Sequence, residues 1–367
     1  DLRMSRGLGD VYKRQIFIHQ KKLFMKILFT PHWNWYFSYF SNEQYDVYFK
    51  EEYVYLYETP TEKPYCAVIY ENDSYMLFPF LKREFTYNEK TFFDFETAYG
   101  YGGPICNVNN ESFWVAALRS LSQEFSNHGC VAGFVRFHPL LDNYRKFDSI
   151  GKVIFDRKTI AMDLSLDEND IWMNEIHTKN RNVIKKGDRN GLKFVVDDAF
   201  AYLPQFARLY NSTMDKLSAD GFYYFNDAYY RSLKERIDNK FLGVVKLEEE
   251  VLSAAIFFCH PPYGHYHLSG SDKAYLGLSP NNYMLYNAAL ELKRRGVRRF
   301  HLGGGTTSGE DDSLFCFKSR FSRNTCQFAI GKLLFNETVY QALCADWEVR
   351  NPDKKEHYKY FLLKYKY

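Results

Sequence analysis

The sequence of 367 residues predicts an α+β fold. Three observations carry that reading. Short runs rich in Tyr, Phe, Val and Ile, bounded by Pro, Asn and Asp, recur as strands do. Between them stand segments whose apolar residues repeat at helical spacing. A hydrophobic content of 46% over this length can bury substantial cores, and the length favours about two domains.

In chain order, residues 53–58, 65–70 and 75–81 read as strands of an antiparallel meander, separated by Pro60, Pro64, Asn72 and Asp73. Residues 111–127 have helical spacing through Phe113, Ala117, Leu118, Leu121 and Phe125, and 131–137 return as a strand. Before that helix lies Tyr99-Gly100-Tyr101-Gly102-Gly103-Pro104. Its glycines free the backbone for a tight loop, and its tyrosines offer stacking faces and hydroxyl donors. Taken alone, it reads as a packed turn.

Residues 167–190 read as a charged helix with Trp172, Ile176 and Val183 inward and Arg181, Lys185 and Arg189 along another face. Arginine grips phosphate oxygens bidentately and lysine supplies a flexible point charge. The stripe therefore suits a nucleotide diphosphate or a tRNA acceptor arm as well as it suits a solvated helix face. Residues 200–217 and 226–237 follow as helices, then 241–247, 251–259 and 264–269 as strands. Alternation on the last strand puts His267 on one face with His265 and Ser269, which makes it the nearest candidate base, although a strand histidine is more often structural. Residues 281–295 form a helix on Leu285, Ala288, Ala289 and Leu292, 336–347 a helix capped by Asn336, and 358–367 a short terminal helix.

Residues 297–302 read as a strand that runs into Gly303, Gly304 and Gly305. Asp311 and Asp312 suit the N-terminus of a short helix beyond them, where carboxylates meet free amides. On that helix Leu314, Phe317, Lys318 and Phe321 share or border one face. An ammonium there must reach the surface or find a partner, because burying it unpaired is expensive.

A strand ending in Leu-Gly-Gly-Gly, then Asp-Ser-Leu-Phe-x-Phe-Lys-x-x-Phe, resembles the C-terminal signature of the FemAB-like branch of the GNAT acyltransferase superfamily. That branch includes proteins described as BioF2-like acetyltransferases and the peptidoglycan bridge aminoacyltransferases. Supporting stretches are the Tyr99–Pro104 loop, Lys179-Asn180-Arg181-Asn182, Tyr223-Tyr224-Phe225, His267-Leu268-Ser269-Gly270-Ser271 and Ser279-Pro280-Asn281-Asn282. Their order along the chain is more specific than any one of them. The resemblance implies two tandem GNAT-like domains, each a mixed, mainly antiparallel sheet flanked by helices, at residues 25–165 and 166–350, with a tail at 351–367. It implies N-acyl transfer to an amino group of a cell-envelope precursor, such as an amino sugar or nucleotide-linked intermediate. The donor is acyl-CoA or, as the alternative, aminoacyl-tRNA in a peptidoglycan bridge transferase; a non-catalytic module binding precursor is the third reading.

By the same resemblance, Lys318 stabilises the oxyanion; the Gly303, Gly304 and Gly305 amides are in place to assist, and His267 stays the nearest candidate base from strand alternation. Tyr99, Tyr101, Arg181 and Lys185 line the acceptor cleft. The helix beginning near Asn281 and Asn282 takes the cofactor position that presents amides to a pyrophosphate. There the usual Arg/Gln-x-x-Gly-x-Gly/Ala loop is replaced by Leu276-Gly277-Leu278-Ser279-Pro280-Asn281-Asn282. FemAB-like proteins share this kind of departure, and some take an aminoacyl ester of tRNA.

A net charge of +3 gives no reason to expect DNA as a partner. Seven cysteines without C-x-x-C pairing fit reduced, buried thiols, and no metal-ligand spacing stands out. Residues 1–24 are expected to be a non-native or disordered leader, with the natural start at or near Met25. Without a secretory or membrane-length apolar window, the protein is expected in the cytoplasm with no stable membrane insertion.

Overall fold

The computed structural model describes residues 25–217 and 220–367. The expected leader, residues 1–24, lies outside the described residues. The chain runs β1 (Lys26–Thr30), α1 (Glu51–Val54), β2 (Glu62–Glu71), β3 (Ser74–Tyr87), β4 (Lys90–Glu96), β5 (Ile105–Cys106), α2 (Glu111–Asn127), β6 (Cys130–Arg136) and β7 (Lys152–Asp163). It continues with α3 (Glu168–Asp170), α4 (Thr178–Arg189), β8 (Lys193–Asp197), α5 (Leu203–Lys216), α6 (Asp227–Arg236), β9 (Lys240–Leu247), β10 (Glu250–His260) and β11 (Tyr263–Ser271). The last elements are α7 (Pro280–Arg294), β12 (Arg299–Gly304), α8 (Ser313–Lys318), β13 (Thr325–Leu334) and α9 (Glu337–Arg350).

All the strands belong to one sheet, ordered β1-β2-β3-β4-β6-β13-β7-β12-β11-β10-β9-β8, with β5 on β3. The α+β expectation holds, with helices flanking a large, mostly antiparallel sheet. Two pairings are parallel, β4 with β6 and β11 with β12. Parallel neighbours need a crossover, and each pair has one: α2 joins the first and α7 the second. The 97–104 loop before α2 and the 272–279 loop before α7 thus occupy equivalent places in the two halves.

The β11–β12 pairing stops at His265 opposite His301, although both strands run on, to Ser271 and Gly304. Past that point they part. The end of β12, the far half of β11 and the 97–104 loop border the space where the candidate site lies.

Three expectations are corrected. Residues 53–58 are the end of α1 and a 3₁₀ turn, Tyr55–Tyr57, because Tyr53 and Val54 are buried against the core by a helical turn, which alternation would not allow. The helix expected over 167–190 is broken: a π-turn, Ile171–Glu175, ends at extended Ile176, and His177 caps α4 by accepting from the Lys179 amide. Residues 358–367 form turns and one 3₁₀ turn in place of a helix, and Lys366 folds back onto Glu62 and Glu96.

The end of the chain returns to strands from its N-terminal part. β13 inserts between β6 and β7, and α9 packs on β6. Among the described residues, no helix is long and apolar enough to cross a membrane.

Candidate active site

The site begins at the end of β12. Asp312 caps α8: its Oδ1 accepts from the Leu314 and Phe315 amides, each at 2.9 Å. Its Oδ2 takes the Thr306 amide at 3.1 Å and hydroxyl at 2.6 Å, and the Thr307 amide at 3.0 Å and hydroxyl at 3.1 Å. Burial pushes this carboxyl up, but the donors, led by Thr306, outweigh it and hold the group well below the carboxylate range. Arg157 ties the same loop down, donating to the Gly305 and Thr306 carbonyls at 2.9 Å.

This frame delivers Lys318 from the last turn of α8 into the protein, where it is 7% exposed. Its Nζ donates to the Gly304 carbonyl at 2.8 Å and stands 5.8 Å from the Tyr266 ring centre. Burial pushes the ammonium down to about 7; Asp312 acts to raise it and Arg157 to lower it. Gly303, at φ +79°, leaves the space beside Nζ open: a β-carbon there would lie 3.1 Å from Nζ and 3.8 Å from the Tyr101 hydroxyl. Lys318, Gly303, Gly304 and Tyr101 are therefore brought together.

Tyr101 packs its ring 5.1 Å from His301 and 5.2 Å from Tyr48, and Tyr99 sits 6.1 Å from His267. Burial drives both tyrosine hydroxyls well above their ordinary range, so they serve as donors. The His267 ring lies 4.4 Å from that of Phe258, tilted by 35°, and its Nε2 lies 3.2 Å from the Tyr229 hydroxyl. Burial, with a smaller contribution from His265, pushes its imidazole down to about 3, so it is neutral at pH 7.

Other expected residues are engaged by their own neighbours. Arg181 donates through Nη1 to the carbonyls of Trp172 at 3.2 Å, Met173 at 2.9 Å and Ile176 at 2.6 Å, closing the π-turn. Lys185 is exposed, with its ammonium 5.6 Å above the Trp172 ring. Asn281 accepts from the Ser271 hydroxyl at 2.8 Å, and Asn282 donates to Asn180 at 2.6 Å, so both side chains tie α7 to its neighbours. Gly305 faces the Asp312 carboxyl with no room for a β-carbon.

The sequence reading missed a buried hub under Tyr101. Asp46 Oδ2 faces His138 Nε2 at 2.9 Å and His265 Nε2 at 2.5 Å, all three sealed from solvent. Their ligand atoms are close enough to hold a metal ion. The Leu140 amide donates to His138 Nδ1 at 3.3 Å, which puts the ring's proton on Nε2, where a metal would need a lone pair. The hub is therefore a hydrogen-bonded clamp between the turn after β6, strand β11 and the 46–50 segment. No local spacing links positions 46, 138 and 265.

Residues 177–312 match the family described as "Acetyltransferase (GNAT) domain". Among solved structures, FemX superposes at a TM-score of 0.65 with 13% identity, covering 87% of this chain and 99% of that one. A conserved protein of unknown function from Bacteroides thetaiotaomicron VPI-5482 superposes at 0.52 with 11% identity, covering 84% of this chain and 100% of that one. No curated protein matches the sequence. The chain has the fold of FemX, and its residues 177–312 match a GNAT acetyltransferase domain.

Proposed function

We propose that the protein is an N-acyltransferase that joins an acyl group to an amine held between the two halves, beside Lys318. The observation that carries the reading is the buried Lys318 ammonium next to the open face of Gly303. The acceptor amine attacks the donor carbonyl, and Lys318 stabilises the oxyanion that forms there. Collapse of the intermediate breaks the carbonyl–sulfur bond, and the proton lost by the amine ends on the leaving thiol. A preorganised donor in a water-poor site stabilises developing charge far better than the same donor in water. The Tyr101 hydroxyl, near the same open face of Gly303, is placed to help hold either substrate.

The first donor to test is acyl-CoA, and the acceptor class is a small amine such as an amino sugar or nucleotide-linked envelope precursor. A second reading, aminoacyl-tRNA as donor, is favoured by one observation at α7. Pro280 has no amide, and the Asn282 and Tyr283 amides already bond to the Ser279 carbonyl at 3.1 and 3.4 Å, leaving little of an amide cradle for a pyrophosphate. The likeness of fold to FemX is compatible with both.

Melting temperature with and without excess acetyl-CoA tests the donor, since a ligand of the native state raises apparent stability. An upward shift, together with acetylation of glucosamine lost in Lys318→Ala, supports the first reading. No shift, with transfer from an aminoacyl-tRNA lost in the same variant, supports the second. Transfer undiminished in Lys318→Ala removes the lysine from the mechanism.

A further inference from the structure

Four side chains next to the candidate site form a single file. The Tyr53 hydroxyl donates to the Tyr99 carbonyl at 2.7 Å. It is 3.3 Å from the Tyr57 hydroxyl, which is 3.0 Å from that of Tyr229, which in turn is 3.2 Å from His267 Nε2. Tyr53 is fully buried and Tyr229 is 7% exposed, while Tyr57 and His267 are half-buried.

Its direction follows from proton counting. A carbonyl oxygen only accepts, so the one Tyr53 proton is committed to Tyr99. The Tyr53 oxygen must then accept from Tyr57, the Tyr57 oxygen from Tyr229, and the Tyr229 oxygen from His267. Every member donates once. Reversing the His267 end leaves two hydroxyl oxygens in contact with no proton between them, and a buried polar atom without its partner is costly. His267 therefore carries its proton on Nε2 and keeps a lone pair on Nδ1, which no group among the described residues engages.

We infer that this one-way hydroxyl chain is a positioning device: it fixes the tautomer of His267 so that Nδ1 is presented as a hydrogen-bond acceptor to the N–H of the acceptor amine. The inference rests on the reading of the protein as an N-acyltransferase, and it adds Tyr53, Tyr57 and Tyr229 as residues that act through His267. The neutral state of His267 at pH 7 suits that task, because a charged imidazole has no lone pair to offer. The arrangement also gives Tyr99 a role through its backbone, whichever residue occupies the position.

Nitrogen NMR of the full chain labelled in histidine tests this directly, with the His267 signals identified by their loss in His267→Gln. The expected spectrum near neutral pH has a protonated, pyrrole-type Nε2 and an unprotonated, pyridine-type Nδ1. In Tyr57→Phe the chain is cut, Tyr229 can turn its proton toward Nε2, and the ring moves toward the Nδ1–H tautomer. Tyr55→Phe, whose hydroxyl bonds the Pro31 carbonyl outside the chain, leaves the signals in place. A protonated Nδ1 in the wild type, or an unchanged tautomer in Tyr57→Phe, overturns the inference. Glucosamine as amine probe is expected to displace the Nδ1 signal, with N-acetylglucosamine as the amine-free control. An intact tautomer that ignores glucosamine counts against the acceptor class proposed above and overturns the role of Nδ1 toward it, while the hydroxyl chain stands.

Discussion

Lys318 and Gly303 are close neighbours: a β-carbon on the glycine would stand 3.1 Å from the lysine nitrogen. Gly303→Ala brings two penalties. The φ of +79° disfavours any β-carbon, at about 1–2 kcal/mol, and the methyl group, 3.1 Å from the ammonium, crowds it against its bond to the Gly304 carbonyl. The expected result is a modest fall in melting temperature and a much larger loss of kcat than that fall explains. Unchanged turnover in a folded Gly303→Ala protein would separate the glycine from catalysis.

Lys318 also makes stability depend on pH in a defined window. Its folded-state pKa, about 7, lies below the ordinary lysine value of roughly 10.4. Below pH 7 both folded and unfolded chains carry the proton, and the full burial penalty stands. Between the two values the unfolded chain holds a proton that the folded one lacks, so this residue's contribution to stability rises, by up to about 1.4 kcal/mol per pH unit. Lys318→Met removes that slope. Denaturant titrations of both proteins at pH 6 and pH 9 should show the methionine variant's advantage shrinking as pH rises; a constant difference would mean that Lys318 titrates normally.

Asp46 accepts from two imidazoles and from the Val47 amide at 2.6 Å, and it joins segments from both halves. Burial pushes its carboxyl up, but His265 and His138 outweigh burial and hold it far below the carboxylate range. Asp46→Asn sets an amide N–H against a histidine N–H, and we expect a cost of about 3 kcal/mol. In the wild type the Asp46 contribution is fully present above the unfolded value of about 3.9 and is lost progressively as pH falls below it. Because the hub is hydrogen-bonded through His138 Nε2–H, treatment with a chelator should leave the melting temperature unchanged; a clear drop would reassign the hub as a metal site.

Arg181 is expected to matter for stability and Lys185 hardly at all. Three carbonyls at the end of the π-turn lose their donor in Arg181→Ala, for about 1–3 kcal/mol. Lys185→Ala removes one exposed cation–π contact and should fall within about 0.5 kcal/mol of wild type. A large change in donor affinity with little change in stability for Arg181→Ala would return it to a binding role.

Legibility tracked sequence distance. α2 and the Asp312 cap of α8 could be read because apolar period and cap chemistry are local signals. Strands β7 and β13 escaped notice, since their pairing with each other joins residues 152–160 to 325–332 and leaves no mark in either segment alone. Tyr53, Tyr55 and Tyr57 imitate strand alternation while belonging to a helical turn and a 3₁₀ turn. At the site, Lys318 and the glycines were visible as a contiguous motif. Asp46, His138 and His265 were not, because only the sheet order brings them together.

Asp312 couples the cap of α8 to the charge state of Lys318, so one substitution should move both. In Asp312→Asn the side-chain oxygen still receives the Leu314 and Phe315 amides, but the amide nitrogen cannot accept from Thr306 and Thr307. Loss of those bonds should destabilise the protein by about 1–2 kcal/mol. Asp312 also acts to hold the Lys318 ammonium up against burial, so removing its charge should carry the lysine midpoint below 7. At neutral pH most of the lysine would then be uncharged, and kcat should fall if the charged form stabilises the oxyanion. Lysine NMR titration of the variant reads the midpoint directly. A midpoint that stays in place or rises would show that the loop frame, and not the Asp312 charge, sets the state of Lys318.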